Sequence, residues 1–395
     1  MNPGAARHTV ADYHQGNEKE PSYKEQKRIP ILSQKIMKHL ITVFILLLTT
    51  IVMAQPRTIV DIKDGQFYIN GRLTYEGRTW EGHKIEGLLM NSRMVQGIFD
   101  DLNPETRSKF VYPDTQKWDP DRNTDEFVAA MPLWRSYGLN SFTLNLQGGS
   151  PTGYGNSSWV NSAFDKKGNL RKDYLKRLER ILDKADELHM VVMLGYFYFG
   201  QDQNLTDEKA ILNAVDNATD WIFKKGYRNV LIEVNNECNI KAYDHEILKP
   251  GRVSELIERV KRKQKDGYRL LVSTSYGGGA VPQPNVVRIA DYVLLHGNGI
   301  KDPAKITELV KKTRDVEGYY GQPIVFNEDD HFDFDKAENN FVNAVKANAS
   351  WGYFDYRMKD EGFAEGYQSI PADWGINSER KRGFFNKLKE ITGGL

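Results

Sequence analysis

The chain has 395 residues, 40% of them hydrophobic and 27% charged, with a formal net charge of +1. That composition is ordinary for a globular enzyme, and a near-neutral chain without a basic block argues against nucleic acid as a partner. The one cysteine, Cys238, excludes an intrachain disulfide.

The first 54 residues read as leader rather than fold. Met37-Lys38-His39 is a basic start, Leu40 to Leu48 an apolar run, and Val52-Met53-Ala54 a small-x-small cleavage site before Gln55. At roughly 15 apolar residues the run falls short of the about 20 that a bilayer span needs, so no stable membrane insertion is expected after its removal. Residues 37–54 are thus expected to be a signal peptide, and the patternless residues 1–36 a non-native upstream extension, with translation starting at Met37. Export without disulfides suits a secreted or periplasmic protein. Residues 55–395 are expected to form one catalytic domain.

In that domain Thr58–Ile62 and Gln66–Ile69 flank Lys63-Asp64-Gly65, a hairpin signal. Leu73 to Trp80 reads as the first strand of the main sheet. Helix and strand then alternate: helix 125–137, strand 139–146, helix 173–189, strand 190–198, helix 207–225 and strand 229–237. The series continues with helix 251–263, strand 268–274, strand 290–296, a helix opened by Asp302-Pro303, and strand 323–328. A helix announced by Asp335 and Glu338, strand 351–356 and helix 378–392 complete it. Eight strands alternating with helices imply parallel βα units, and the count favours a single (β/α)8 TIM barrel with an N-terminal β-hairpin. Three long connections, 81–124, 147–172 and 357–377, would lie at the C-terminal mouth. The first holds 87–96, expected to be helical. Together they carry Trp118, Tyr154, Trp159, Tyr367 and Trp374, which would line a cleft.

Two apolar strands end in a glutamate: Val230-Leu231-Ile232-Glu233-Val234-Asn235-Asn236-Glu237, and ninety-one residues later Ile324-Val325-Phe326-Asn327-Glu328. A buried strand has no use for such a tip unless it opens onto a site. Two carboxylates facing each other across a barrel mouth are what glycosidic cleavage needs, one to protonate the leaving oxygen and one on the far side of the anomeric carbon.

Asn236-Glu237 ending strand four, with Glu328 ending strand seven, resembles the clan of retaining (β/α)8 glycoside hydrolases that includes family 5 cellulases and β-mannanases. The resemblance implies that Glu237 is the acid/base, Glu328 the nucleophile, and Asn236 a partner of the sugar 2-hydroxyl. It also implies that Arg78 supports the nucleophile, that His296 touches it, and that Tyr196 and Tyr198 contact ligand. A β-linked poly- or oligosaccharide is the expected substrate. No cofactor and no metal are expected, because the consecutive Asp329, Asp330 and His331 do not converge on one ion. Glu233 lies deeper and is expected to pair with a barrel Arg or Lys. The competing readings are a catalytically silent carbohydrate-binding barrel and a metal-dependent hydrolase. The complete set of site residues favours the enzyme, and the lack of a His-x-His cluster disfavours the metal hydrolase.

Overall fold

The computed structural model describes residues 57–154 and 158–394. The expected leader and upstream extension lie outside those residues.

The described chain opens with β1 (Val60–Lys63) and β2 (Gln66–Ile69), which pair antiparallel around Asp64-Gly65. Both turn residues have positive φ, +50° and +71°, the geometry that Asp-Gly favours. A side chain at Gly65 would place its Cβ 2.4 Å from the Gly321 carbonyl, so the turn can be seated there only without one.

Leu73–Trp80 is not a strand of the main sheet. Arg72–Leu73 (β3) extends the hairpin, and Thr79–Trp80 (β4) pairs with His83–Lys84 (β5). The main-sheet strand is Asn91–Arg93 (β6), inside the segment expected to be helical. Its inward positions are polar, so it carries no apolar alternation to read.

Seven more parallel strands follow: β7 (Ser141–Asn145), β8 (Val191–Phe197), β9 (Val230–Asn235), β10 (Leu271–Ser273), β11 (Val293–His296), β12 (Ile324–Glu328) and β13 (Gly352–Tyr353). They form a six-stranded parallel sheet in the order β10-β9-β8-β7-β6-β13 and a two-stranded parallel sheet β11-β12. Backbone hydrogen bonds run between the two sheets, from Asp291 N to Val272 O and from Phe326 N to Ser350 O.

One strand face packs on helices. These include α1 (Pro120–Ser136), α2 (Lys172–Glu187), α3 (Glu208–Lys225), α4 (Val253–Arg262), α5 (Pro284–Val287), α6 (Ala304–Arg314), α7 (Asn340–Lys346) and α8 (Glu379–Thr392). The starts of α1, α3 and α8 follow from capping chemistry: Asp119 accepts from Asp121 N and Arg122 N, Asp207 from Ala210 N, and Ser378 from Lys381 N. α7 starts later than the sequence suggests, at the Asn339 cap, while Glu338 binds Asn343 and Lys346 instead.

The other strand face forms a second, separate cluster of Leu89, Val191, Met193, Leu231, Leu271, Tyr292, Leu294 and Val325, joined by Val60 and Phe67 of the hairpin. Above that layer the inward positions turn polar. Gly195 has no side chain because its Cβ would lie 2.2 Å from Asn145 Oδ1 and 3.6 Å from a Glu233 oxygen.

Candidate active site

At the C-terminal ends of these strands the side chains stop packing and start facing one another. β12 carries a register shift: Leu295 opposes Phe326, yet the next residue, His296, opposes Glu328. The extra residue, Asn327, is a bulge, a device that re-aims the side chains around it. Glu237 follows β9 with φ of +49°, a conformation that costs a non-glycine residue energy and persists only where the surroundings impose it. The Glu237 N–H donates to Ser275 Oγ at 2.8 Å, and that hydroxyl in turn donates to Glu233 Oε1. Glu233 therefore rests on Ser275 and, at 3.5 Å, on the amide of Asn327 rather than hydrogen-bonding to an Arg or Lys.

Glu237, His296 and Glu328 each bring one ligand atom to within 4.8 Å of the others. His296 Nδ1 lies 2.9 Å from Glu237 Oε1 and 3.6 Å from Glu328 Oε2, so its principal partner is Glu237, not the nucleophile candidate. Arg93 Nε lies 2.8 Å from Glu328 Oε2, with both side chains buried. The amide of Asn298 donates to Glu328 Oε1 at 2.7 Å.

Electrostatics in this enclosed group are shared. Burial raises the Glu328 carboxyl despite Arg93, His296 and Asn298, which oppose it. Burial also acts on Glu237, but the hydrogen bond and charge of His296 overcome it and hold that carboxyl below its usual range. Burial disfavours the His296 cation, yet the two glutamates hold its pKa above the ordinary value. Groups this close exchange protons as one titrating unit. The three ligand atoms could also surround a divalent ion, but the Arg93 cation already stands against Glu328, where an ion's charge would act.

Arg78, expected behind the nucleophile, is not at the site. Its guanidinium donates to the carbonyls of Glu390 and Ile391 at the end of α8. Arg93 holds the expected place. Tyr196 is also elsewhere: it shares the strand parity of Val192 and Leu194, packs toward the helices, and its hydroxyl meets Thr219 of α3 at 3.1 Å. Tyr198, beyond the strand end, does reach the site, with the Arg93 guanidinium 5.9 Å from its ring centre. Asn236 is buried beside Glu237, and among the described residues neither its amide oxygen nor its nitrogen has a protein partner. Buried amides rarely go unpaired, which leaves these atoms open to a ligand hydroxyl.

Of the five loop aromatics expected to line the cleft, Tyr367 and Trp374 are buried and stacked on each other, and Trp118 stacks on Tyr112. Trp159 is partly buried against the main core, and Tyr154 is 50% exposed. Asp329, Asp330 and His331 diverge: Asp329 accepts from Asn340 and Trp351, Asp330 from Tyr154 and Gly299 N, and His331 faces Asp333 at 3.6 Å. The sequence reading did not single out Arg93, Ser275 or Asn298 for the site. Asn298 alone had a usable signal, lying two residues beyond His296 at the same strand end.

Solved structures share this arrangement of elements. An endo-1,4-beta-mannanase from Rhizomucor miehei aligns with a TM-score of 0.52 at 11% identity, over 85% of this chain and 99% of that one. A glycoside hydrolase family 5 protein from Bacteroides vulgatus ATCC 8482 aligns at 0.50 and 13%, over 84% and 70%. A glycoside hydrolase family 5 mannosidase from Rhizomucor miehei aligns at 0.50 and 12%, over 84% and 99%. The chain shares their fold. No family model and no curated protein matches the chain.

Proposed function

We propose that the protein is an exported, retaining glycoside hydrolase acting on β-linked poly- or oligosaccharides, on a closed (β/α)8 barrel whose base is covered by the N-terminal hairpin. The observation that carries the reading is the approach of one Glu237 oxygen and one Glu328 oxygen to within 4.8 Å of each other. Double displacement wants two carboxyl groups about 5–5.5 Å apart, whereas an inverting enzyme keeps about 6.5–9.5 Å to admit water between them.

In this reading Glu328 attacks the anomeric carbon as the carboxylate, and Glu237 protonates the departing glycosidic oxygen. The resulting glycosyl ester is then cleaved by water, whose proton returns to Glu237. Arg93 and Asn298 both favour the ionised form of Glu328. The proton must sit on Glu237 for the first step, and His296 Nδ1, close to both carboxyls, is placed to deliver it there. The open amide of Asn236 suits a sugar hydroxyl. The fold neighbours named as mannanase and mannosidase put β-mannosides first among substrates to try.

The test is a panel of β-linked oligosaccharides and aryl β-glycosides offered to the wild type and to Glu328→Ala. Turnover by the wild type and its loss in the variant, with an unchanged melting temperature, are expected. Undiminished turnover in the variant ends the assignment. Translation from Met37 is tested separately by sequencing the N-terminus of the secreted product, and a mature start before residue 37 refutes it.

A further inference from the structure

The loop after β7 reaches across the strand ends and touches the same network from the opposite side. Tyr154 OH donates to Asp330 Oδ2 at 2.7 Å, and it accepts from Asn298 Nδ2 at 2.9 Å. The same Asn298 nitrogen donates to Glu328 Oε1 at 2.7 Å. Asp330 Oδ1 accepts from Gly299 N at 2.8 Å. With Glu328 and Asp330 both ionised, only one proton arrangement satisfies this chain. An amide nitrogen beside a carboxylate must donate, which spends one Asn298 hydrogen on Glu328 and the other on the phenol. The phenol, having accepted, gives its own hydrogen to Asp330.

We propose that Tyr154 is a positioning residue for Glu328, acting through Asn298 and anchored by Asp330. The inference rests on the retaining reading for its consequence in catalysis, not for its geometry. Among the described residues Asn298 Oδ1 has no protein partner, and there the amide plane is set by its nitrogen, between Glu328 and Tyr154. Without the phenol oxygen the amide can rotate about its last torsion and carry its hydrogen away from Glu328.

Residues 151–154 are seated firmly enough to act as such an anchor. Pro151 O accepts from Ile370 N at 2.9 Å, and the Tyr154 ring lies edge-on to Phe354 and Tyr356 at 5.5 and 5.1 Å. Gly153 has φ of +107°, and a Cβ there would fall 2.6 Å from the Tyr356 ring, so the close approach depends on glycine. Burial, together with Glu328 and Asp330, lifts the phenol far above its ordinary range, so it remains a donor at any working pH. The charged and titratable groups acting on Glu328 are Arg93, His296, Glu237, Tyr198 and Tyr154, and the variant below changes only the last.

Tyr154→Phe keeps the ring packing and removes one oxygen. Taking a hydrogen-bonding partner from a group that serves an ion is expected to lower kcat ~10-fold with KM changed less than ~2-fold. The acidic limb of kcat/KM should move to higher pH, because the ionised Glu328 has lost support. Asn298→Ala should do the same more strongly, and the double variant should be no worse than Asn298→Ala, since both act along one path. A 13C carboxyl titration of Glu328, assigned against Glu328→Gln, reads the coupling without any substrate, and its midpoint should rise in Tyr154→Phe. An unmoved midpoint, or a Tyr154→Phe loss that adds in full to that of Asn298→Ala, overturns the inference and leaves the glycosidase reading intact. A moved midpoint in a protein that hydrolyses no glycoside sustains the coupling and removes the glycosidase reading.

Discussion

His296 Nδ1 and Glu237 Oε1 are hydrogen-bonded at 2.9 Å, so a fully buried imidazole is fixed against the carboxyl proposed as the acid/base. His296→Ala removes the group that holds Glu237 below its usual range, and the Glu237 pKa should rise. Loss of assistance to a general acid of this kind is expected to cost ~100-fold in kcat on substrates with poor leaving groups. Activated aryl glycosides, which need no protonation, should lose much less. Equal loss on both substrate types, measured side by side, argues against Glu237 as the acid.

Arg93 and Glu328 form a buried ion pair, and removing one partner strands the other. Arg93→Ala should therefore raise the Glu328 pKa further and reduce kcat by ~1,000-fold, the scale of losing one preorganised charge contact. Arg93→Lys restores the charge without the planar fork and should recover only part of it. A kcat in Arg93→Ala within a few-fold of the wild type, with the fold verified by circular dichroism, contradicts this role.

Arg78 and Tyr196 give the opposite outcome. Arg78 covers the last carbonyls of α8, where a basic side chain contributes ~1 kcal/mol. Arg78→Ala should lower the melting temperature by ~2 °C while leaving kcat unchanged. Tyr196→Phe loses only the contact to Thr219 and should likewise leave kcat alone. A kinetic defect in either variant at constant stability would mean that the site extends further than the geometry places it.

Asp329 adjoins the nucleophile candidate but serves the fold. Burial pushes its carboxyl up to about 7, against the hydrogen bonds from Trp351 and Asn340. A carboxyl whose folded pKa lies above its unfolded value stabilises fully below the unfolded pKa, and that contribution is lost as pH rises through the folded one. Stability should therefore decline between about pH 4 and 7, by at most ~1.4 kcal/mol per pH unit from this group. Asp329→Asn should start less stable and show a flatter profile over the same window in urea melts. Parallel profiles for the two proteins would remove Asp329 as the source.

How much of this was legible follows from where each side chain points. Strands such as Val191–Phe197 and Ile324–Glu328 pack apolar residues on both faces, so they stand out as continuous apolar runs. Asn91–Arg93 does not, because its inward residues, Asn91 and Arg93, belong to the polar upper layers. Leu73–Trp80 has the strand-like composition instead, which draws the expected first strand and its arginine to the wrong segment together. Glu237 and Glu328 were legible because a carboxylate at the tip of an apolar strand has no packing role. Strand parity sets Tyr196 apart from the site: two residues after Leu194, it must share its outward face. The Tyr154–Asp330 contact joins residues 176 apart in the chain through a single hydroxyl, and no local pattern announces that.

The most direct measurement is the anomeric configuration of the first-formed sugar, followed by proton NMR during hydrolysis of a β-glycoside that the protein turns over. The account predicts that the β-anomer appears first and mutarotates later, and that Glu328→Ala releases none. Initial appearance of the α-anomer would mean single displacement by water and would contradict Glu328 as the nucleophile.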